Sequence, residues 1–209
     1  MVFVRSQGCN LIPHCIWCDT PYSQDANEGK DMDCLSVSDE VGRLSGYKRN
    51  SWVCITGGEP LWQEAALEEL VRVLKLESYR VTVETNGSFP VPRWYGIVDS
   101  WSADMKCPST GVCGTSKEDW FKTRISDQVK FVVGNKEDLD YASGVIKKHW
   151  ADSPIILVSP TASHTPKWNI VEDFWSREWL QEVVEFCKKE NVRFSLQLQK
   201  IIWGNKKGV

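Results

Sequence analysis

The stretch WVCITGGEPLWQEAALEELVRVLKL, residues 52–76, contains a complete strand–loop–helix unit. Residues 52–56 form a continuous apolar run of the buried-strand type, and Gly57-Gly58 ends it. Apolar residues then recur at the i, i+3, i+4 and i+7 positions of a helix that covers a sheet: Leu67, Leu70, Val71 and Leu74. The stretch therefore predicts a β-strand followed by a helix that packs on the sheet to which the strand belongs.

The same alternation of strand and helix continues on both sides of this unit. Further strands are predicted at 2–4, 80–84, 97–103, 129–133, 155–158 and 192–198. Further helices are predicted at 35–44, with Ser36 or Ser38 as N-cap, at 137–150, and at 172–189. The last of these carries apolar residues on one side: Trp179, Leu180, Val183, Val184 and Cys187.

Strands that alternate with helices imply parallel βα units with right-handed crossovers. We therefore predict an α/β fold, an incomplete βα TIM-type barrel of about six parallel strands, since a closed barrel needs eight. A doubly wound open sheet is the alternative fold. The length of 209 residues fits a single domain over residues 1–209.

Composition excludes several classes of protein. A net charge of −3 and a pI near 5.7 give no basis for general binding to nucleic acid. No run approaches the roughly 20 apolar residues that cross a membrane, and residues 1–7 lack the layout of a signal peptide. We expect a soluble cytoplasmic protein without a membrane or nucleic-acid partner.

Polar or glycine-rich segments follow the ends of five predicted strands. They are the cysteine-containing loop after the first strand, followed by segments 57–60, 85–87, 104–108 and 159–160. In parallel βα architectures the carboxyl ends of the strands share one edge, where ligands bind. Any one of these segments could be a simple turn, but the set predicts a single site.

The loop GCNLIPHCIWCDT, residues 8–20, contains three of the eight cysteines: Cys9, Cys15 and Cys18. Three thiolates on one short loop can ligate three irons of a cubane and leave the fourth iron open. A zinc site with His14 as fourth ligand is the alternative. Structural zinc sites normally draw a second ligand pair from a distant segment, and no such pair stands out. The scattered cysteines are interpreted as reduced thiols or core residues: Cys34, Cys54, Cys107, Cys113 and Cys187.

The three cysteines, which end in Cys15-Ile16-Trp17-Cys18, and the later Gly57-Gly58-Glu59-Pro60 together resemble the radical S-adenosylmethionine superfamily. The resemblance implies a 4Fe–4S cluster whose open iron chelates the methionine amine and carboxylate of S-adenosylmethionine. An electron from the cluster then splits the sulfonium and yields a 5′-deoxyadenosyl radical. The backbone of two glycines would allow the methionine amino group to approach closely.

Four further motifs resemble the 7-carboxy-7-deazaguanine synthase family over most of the chain. They are Arg5-x-x-Gly8-Cys9-Asn10-Leu11, Cys18-Asp19-Thr20, Glu84-Thr85-Asn86-Gly87 and Leu196-Gln197-Leu198-Gln199-Lys200. That family converts 6-carboxy-5,6,7,8-tetrahydropterin, with ring contraction and loss of ammonia, into the deazapurine precursor of queuosine-type bases. The resemblance also implies Mg²⁺, a homodimer and an external electron donor such as flavodoxin or ferredoxin.

The resemblance assigns roles to individual residues. Thr20 would offer its hydroxyl to Mg²⁺, a hard ion that prefers oxygen, and Arg5 would pair with the substrate carboxylate. Thr85 and Gln199 would also contact substrate. The residues expected to bind S-adenosylmethionine are Trp17, Asp19, Gly57, Gly58, Glu59, Gly87, Asp104, Met105, Lys106 and Ser159.

Three features depart from the family pattern. Five residues separate Cys9 from Cys15, where the superfamily usually has three. The family has a substrate-contacting segment before the first strand, whereas this sequence begins almost at that strand, so we expect substrate binding there to differ. Gln199 stands where the family tends to have histidine. A glycyl-radical activase, acting on a partner protein, and a zinc-stapled binding domain remain the alternative functions.

Overall fold

A computed structural model describes residues 1–149, 151, 154–162, 174–204 and 206. Its centre is a seven-stranded sheet in which every neighbouring pair is parallel and the spatial order follows the chain. The strands are β1 (Val2–Ser6), β2 (Trp52–Gly57), β3 (Arg80–Thr85), β4 (Ser100–Met105), β5 (Gln128–Val133), β6 (Ile155–Pro160) and β7 (Arg193–Phe194).

The α-helices lie between these strands and after the last one. They are α1 (Cys34–Ser45), α2 (Glu64–Leu76), α3 (Lys136–Lys148), α4 (Arg177–Glu190) and α5 (Leu198–Trp203). The stripe predicted for α2 is confirmed, because Leu67, Leu70, Val71 and Leu74 are its buried residues. Within the described ranges, no helix combines the length and the apolarity needed to cross a membrane.

The prediction of an incomplete βα barrel is confirmed. Strands β1 and β7 are the two edges of the sheet and do not pair with each other. A doubly wound sheet reverses its strand order at a switch point, and this sheet has no reversal. The described residues contain seven strands rather than about six, the seventh being only two residues long.

Several predicted boundaries were wrong. The strand predicted at 97–103 begins at Ser100, because Tyr95–Ile97 forms a 3₁₀ turn. The strand predicted at 192–198 is reduced to β7, in which Arg193 and Phe194 pair with Leu157 and Val158 of β6. Residue 150 and residues 172–173, at the ends of two predicted helices, lie outside the described residues.

The predicted N-cap of α1 was also wrong. The helix begins at Cys34, and the cap is Asp33 rather than Ser36 or Ser38. The Asp33 carboxylate accepts a hydrogen bond of 2.7 Å from the backbone N–H of Ser36. A carboxylate at this position satisfies a backbone donor that the helix itself leaves without a partner.

The two faces of the sheet have different chemistry. In β4 and β5 every second residue is buried, and Trp101, Phe131 and the other apolar side chains of this set join the core against the helices. The Trp101 ring lies 5.5 Å from that of Trp94 and 5.4 Å from that of Trp120. The opposite face carries polar side chains, among them Ser102 and Lys130, and lines a cavity.

We predict that Leu74→Ala destabilises the protein by about 2–5 kcal/mol, because it leaves a cavity in the core. Leu74 is 0% exposed. The matched control is Leu76→Ala on the same helix, where the side chain is 85% exposed and the expected change is below about 0.5 kcal/mol. Urea unfolding of both variants measures the difference, and equal losses would contradict this description of the core.

Candidate functional site

A cavity of about 670 Å³ lies over the polar face of the sheet, within the size range of ligand pockets. It is lined by strands β1 to β6, the cysteine loop and residues from 195 to 203. Most predicted site residues line it: Arg5, Cys9, Cys15, Trp17, Cys18, Asp19, Thr20, Gly57, Gly58, Thr85, Asp104, Lys106, Ser159 and Gln199. Glu59, Gly87 and Met105 do not.

The cysteine loop is fixed to the body of the protein by backbone hydrogen bonds. The N–H groups of Gly8 and Cys9 donate to the carbonyls of Ser23 (3.0 Å) and Gln24 (3.1 Å). Farther along, the N–H of Ile16 donates to the carbonyl of Thr110 at 3.0 Å. These hydrogen bonds fix the start of the loop and its later part at Ile16.

Cys9, Cys15 and Cys18 are all half-buried and form no disulfide. Burial raises the pKa of the Cys9 and Cys15 thiols above the usual value. The ammonium of Lys106 opposes this effect at Cys15, where it is the largest influence that lowers the pKa. Because thiolates are the metal-binding form, metal binding at these two residues must release their protons.

The three thiols line one cavity. Among the described residues, no three Cys, His, Asp or Glu side chains are gathered closely enough to hold a single metal ion. The ligands of one zinc ion must converge on a point, at about 2.3 Å for sulfur. Each thiolate of a cubane binds a different iron, so its ligands are spread apart. Cys9, Cys15 and Cys18 line one cavity, and each could bind a different iron.

Gly57 is required by the packing of β2 against β1, and Gly58 by the packing of the next residue against the cysteine loop. A Cβ atom on Gly57 would overlap the backbone of Ser6, and one on Gly58 would overlap the carbonyl oxygens of Gly8 and Ser23. Gly57 also has a φ of +133°, which side chains disfavour. These glycines were expected to allow the close approach of the cofactor. The structure adds that the packing of β1 and of the cysteine loop also requires them.

Glu59 is fully buried below the cavity. Its Oε1 accepts hydrogen bonds from the Leu61 N–H (2.9 Å) and the Thr85 hydroxyl (2.8 Å), and its Oε2 accepts one from the Asn86 N–H (2.6 Å). Burial raises the pKa of this carboxyl to about 7, although the hydrogen bonds oppose the shift. Glu59 therefore joins the loop after β2 to the end of β3 and does not face the cavity.

The link continues from β3 to the cysteine loop. The Asn86 side-chain amide donates to Asn10 Oδ1 at 3.0 Å and lies 3.9 Å from the Cys9 sulfur. The Thr85 hydroxyl donates to Glu59 and accepts from the Gly87 N–H at 3.2 Å. Thr85 thus lines the cavity, but its hydroxyl is already engaged in this chain of contacts.

Gly87 and Met105 also lie beneath the cavity surface. A Cβ atom on Gly87 would overlap the carbonyl oxygen of Asp104, so the glycine lets the loop after β3 pack on β4. Met105 is buried in the core on the helix side of β4. Its neighbour Asp104 points to the opposite face, because side chains alternate along a strand.

Asp104 is held between two ammonium groups. Its Oδ2 lies 2.7 Å from the Lys106 Nζ, and its Oδ1 lies 3.3 Å from the Lys130 Nζ. Burial alone would raise the pKa of Asp104, but the two ammonium groups hold it below the usual value. The same contact raises the pKa of Lys106 against the effect of burial. These three residues therefore form a fixed, charged wall.

Sequence reasoning missed a set of cavity residues on the inner face of the strands: Thr56, Glu84, Ser102, Gln128 and Lys130. A signal for them was present. Strands buried on both faces read as near-continuous apolar runs. In β5, however, Gln128 and Lys130 alternate with Val129, Phe131 and Val133. A charged residue in such an alternation indicates that one face of the strand meets a polar cavity.

We predict that Gly58→Ala lowers the melting temperature by more than 5 °C and impairs cluster assembly, because the added methyl group displaces the cysteine loop. A shift of this size corresponds to roughly 1 kcal/mol or more. Gly96→Ala is the matched control, since nothing lies within 4 Å of a Cβ at that position. Thermal unfolding and iron analysis measure both effects. A Gly58 variant that behaves like the control would contradict the packing described above.

We predict that Glu59 makes stability depend on pH. Its pKa is raised on folding to about 7 from an ordinary value of 4.5, so the folded state binds the proton more tightly than the unfolded state. The stability of wild type relative to Glu59→Gln should therefore fall as pH rises from 4.5 to 7 and level off above 7. Melting temperatures at four pH values measure this, and a constant difference between the two proteins would refute it.

Comparison with known proteins agrees with this geometry. The sequence model of the radical SAM superfamily matches residues 3–99. A 7-carboxy-7-deazaguanine synthase of Methanospirillum hungatei is 40% identical over 156 residues, 75% of this chain and 62% of the relative. The synthase of Leptospira interrogans is 30% identical over 228 aligned positions, 100% of this chain and 89% of the relative.

The fold has a matching solved structure. The crystal structure of QueE from Escherichia coli aligns with a TM-score of 0.64 and 20% identity, covering 93% of this chain and 84% of that one. The structural match supports the partial barrel alone, whereas the sequence relatives support the family. The chain belongs to the 7-carboxy-7-deazaguanine synthase family of radical SAM enzymes.

Proposed function

We propose that this enzyme converts 6-carboxy-5,6,7,8-tetrahydropterin into 7-carboxy-7-deazaguanine and ammonia. The proposal is carried by one observation, that the three cysteines, the Asp104–Lys106 pair and Arg5 line the same cavity. The names of the relatives favour this reaction over a glycyl-radical activase and over a zinc-stapled domain. The atoms balance, because the product differs from the substrate by one molecule of ammonia, and no net oxidation occurs.

Cys9, Cys15 and Cys18 would hold the 4Fe–4S cluster that family membership implies, with S-adenosylmethionine beside it. When bound, this pair supplies the 5′-deoxyadenosyl radical that takes hydrogen from the substrate. Around it, the Asp104–Lys106 wall would bind polar groups of S-adenosylmethionine. Trp17 offers an apolar ring that is held in place by a 3.1 Å hydrogen bond from its indole N–H to Ser109.

Mg²⁺ and the substrate carboxylate would be bound near β1. We assign Mg²⁺ to Thr20, whose hydroxyl oxygen lies 3.8 Å from the Cys18 sulfur at the cavity wall. Arg5 is exposed within the cavity, with its guanidinium 6.0 Å from the centre of the Tyr22 ring, and would pair with the substrate carboxylate. Gln199 on α5, which also lines the cavity, would contact the substrate as well.

The partners are also part of the proposal. Ile12 and Ile16 in the cysteine loop are 86% and 77% exposed, so a cluster there would lie near the surface, where flavodoxin or ferredoxin could reach it. We assign a homodimer by family and note exposed apolar side chains on α5, namely Leu198, Ile202 and Trp203. Free thiols and an oxygen-sensitive cluster suit a reducing cytoplasm.

The test is anaerobic reconstitution with iron and sulfide, followed by reduction and addition of S-adenosylmethionine, Mg²⁺ and 6-carboxytetrahydropterin. We expect mass spectrometry to detect 7-carboxy-7-deazaguanine. Cys15→Ala should abolish the product, whereas Cys113→Ala, at an exposed cysteine outside the cavity lining, should retain it. If 5′-deoxyadenosine forms without the product, the substrate assignment is wrong. If the protein binds zinc and assembles no cluster, the radical chemistry is wrong.

A further inference from the structure

A row of polar side chains crosses the floor of the cavity from β1 to β5. Backbone register places Arg5 opposite Thr56, Glu84 opposite Ser102, and Ser102 opposite Gln128. The Thr56 hydroxyl closes the remaining gap by donating to the Glu84 carboxylate at 3.0 Å. All five residues line the cavity. Since the covered faces of parallel sheets are normally apolar, a continuous polar row indicates a surface that binds a polar ligand.

Glu84 differs from Asp104 and Glu59, the other carboxylates close to the strand ends, because one of its oxygens is open. The Oε2 atom accepts from Thr56, and no donor among the described residues contacts Oε1. In contrast, both oxygens of Asp104 contact ammonium groups, and both oxygens of Glu59 accept hydrogen bonds. The side chain of Glu84 is exposed to the cavity, so a ligand can reach it.

The neighbouring Lys130 ammonium does not form an ion pair with Glu84. The Lys130 ammonium lies 3.3 Å from Asp104, and no ion pair between Lys130 and Glu84 occurs in the part of the chain that the structure describes. Thr56 is itself largely buried, which fixes the direction of its hydroxyl and hence the orientation of the carboxylate. Glu84 is therefore an oriented acceptor with an unused oxygen, as expected of a ligand-binding group.

The substrate has complementary chemistry at its two ends. One ring carries a carboxylate, and the other is a 2-amino-4-oxopyrimidine whose ring N–H and amino group point in the same direction. A carboxylate accepts two parallel N–H donors well. Arg5 and Glu84 are two strands apart, which places their backbones about 9.6 Å from each other. A fused bicycle with these substituents has comparable length, so both ends can be bound at once.

We propose that Glu84 determines specificity for the pyrimidine end of the substrate. Its carboxylate accepts hydrogen bonds from the ring N–H and the 2-amino group, while Arg5 pairs with the carboxylate at the other end. This inference rests on the function proposed above and adds to it the group of the substrate that Glu84 binds. A ring without the 2-amino group loses one of the two hydrogen bonds and binds less tightly.

The test compares 6-carboxytetrahydropterin with its analogue that lacks the 2-amino group. Calorimetry with the reconstituted, unreduced enzyme and S-adenosylmethionine measures the Kd of each compound without turnover. For wild type we expect the analogue to bind about 10- to 100-fold more weakly, the size of a hydrogen bond to a charged group. In Glu84→Gln the substrate Kd should rise by a similar factor, so that the two compounds bind almost equally.

Controls separate recognition from folding. Glu77→Gln changes an exposed glutamate outside the cavity lining and should preserve the wild-type discrimination. Iron content and melting temperature should be the same in both variants as in wild type. KM should rise in Glu84→Gln with little change in kcat, because the hydrogen bonds form on binding and persist through the reaction.

The experiment distinguishes failure of the role of Glu84 from failure of the proposed function. If wild type converts the substrate and Glu84→Gln keeps the wild-type ratio of the two Kd values, the role of Glu84 is refuted and the proposed function stands. If wild type neither binds nor converts 6-carboxytetrahydropterin, the proposed function falls and takes this inference with it.

Discussion

The buried carboxylate of Glu59 is the interaction on which the site depends. It accepts hydrogen bonds from the segment after β2 and from the end of β3. The Asn86 side chain extends this connection to the cysteine loop. A buried carboxylate without donors would be very costly, so the loops cannot separate without leaving it unpaired. Together with the close packing at Gly58, this holds the cysteine loop against the strand ends.

The sheet divides structural and functional roles between its faces. Trp101, Phe131 and their neighbours stabilise the fold on the helix side, whereas Glu84, Asp104 and Lys130 line the cavity on the other. This division allows polar residues within strands without exposing the core to water. An eight-stranded barrel of this type fills its interior with side chains, and here that space is left for ligands.

Much of the fold could be predicted from local patterns. The α2 stripe and the apolar runs of β2 and β5 depend on neighbours close in sequence, and the structure bears them out. The length of β7 could not be predicted, because it depends on backbone pairing with β6, which is distant in sequence. Asp33 was missed as the cap because nearby serines are equally good caps by type, and only the backbone geometry distinguishes them.

In the site too, local sequence predicted some features, whereas contacts between distant segments determined the others. The motifs at strand ends predicted which segments meet, because parallel strands bring their carboxyl ends to one edge. They did not predict which way each side chain points. Glu59 is held below the cavity by Thr85 and Asn86 at the end of β3, and no local sequence pattern indicates that contact. The alternation in β5 did indicate that Lys130 faces a polar cavity. The spacing of polar and apolar residues carries this signal, and the residue types alone do not.

The most direct test of the account is electron paramagnetic resonance of the reconstituted, reduced protein with and without S-adenosylmethionine, combined with metal analysis. Three thiolates around one cavity predict about four irons per chain, a spectrum that changes when S-adenosylmethionine binds the open iron, and loss of the signal when Cys9, Cys15 or Cys18 is replaced. A single bound zinc, or an iron spectrum indifferent to S-adenosylmethionine, would contradict the account.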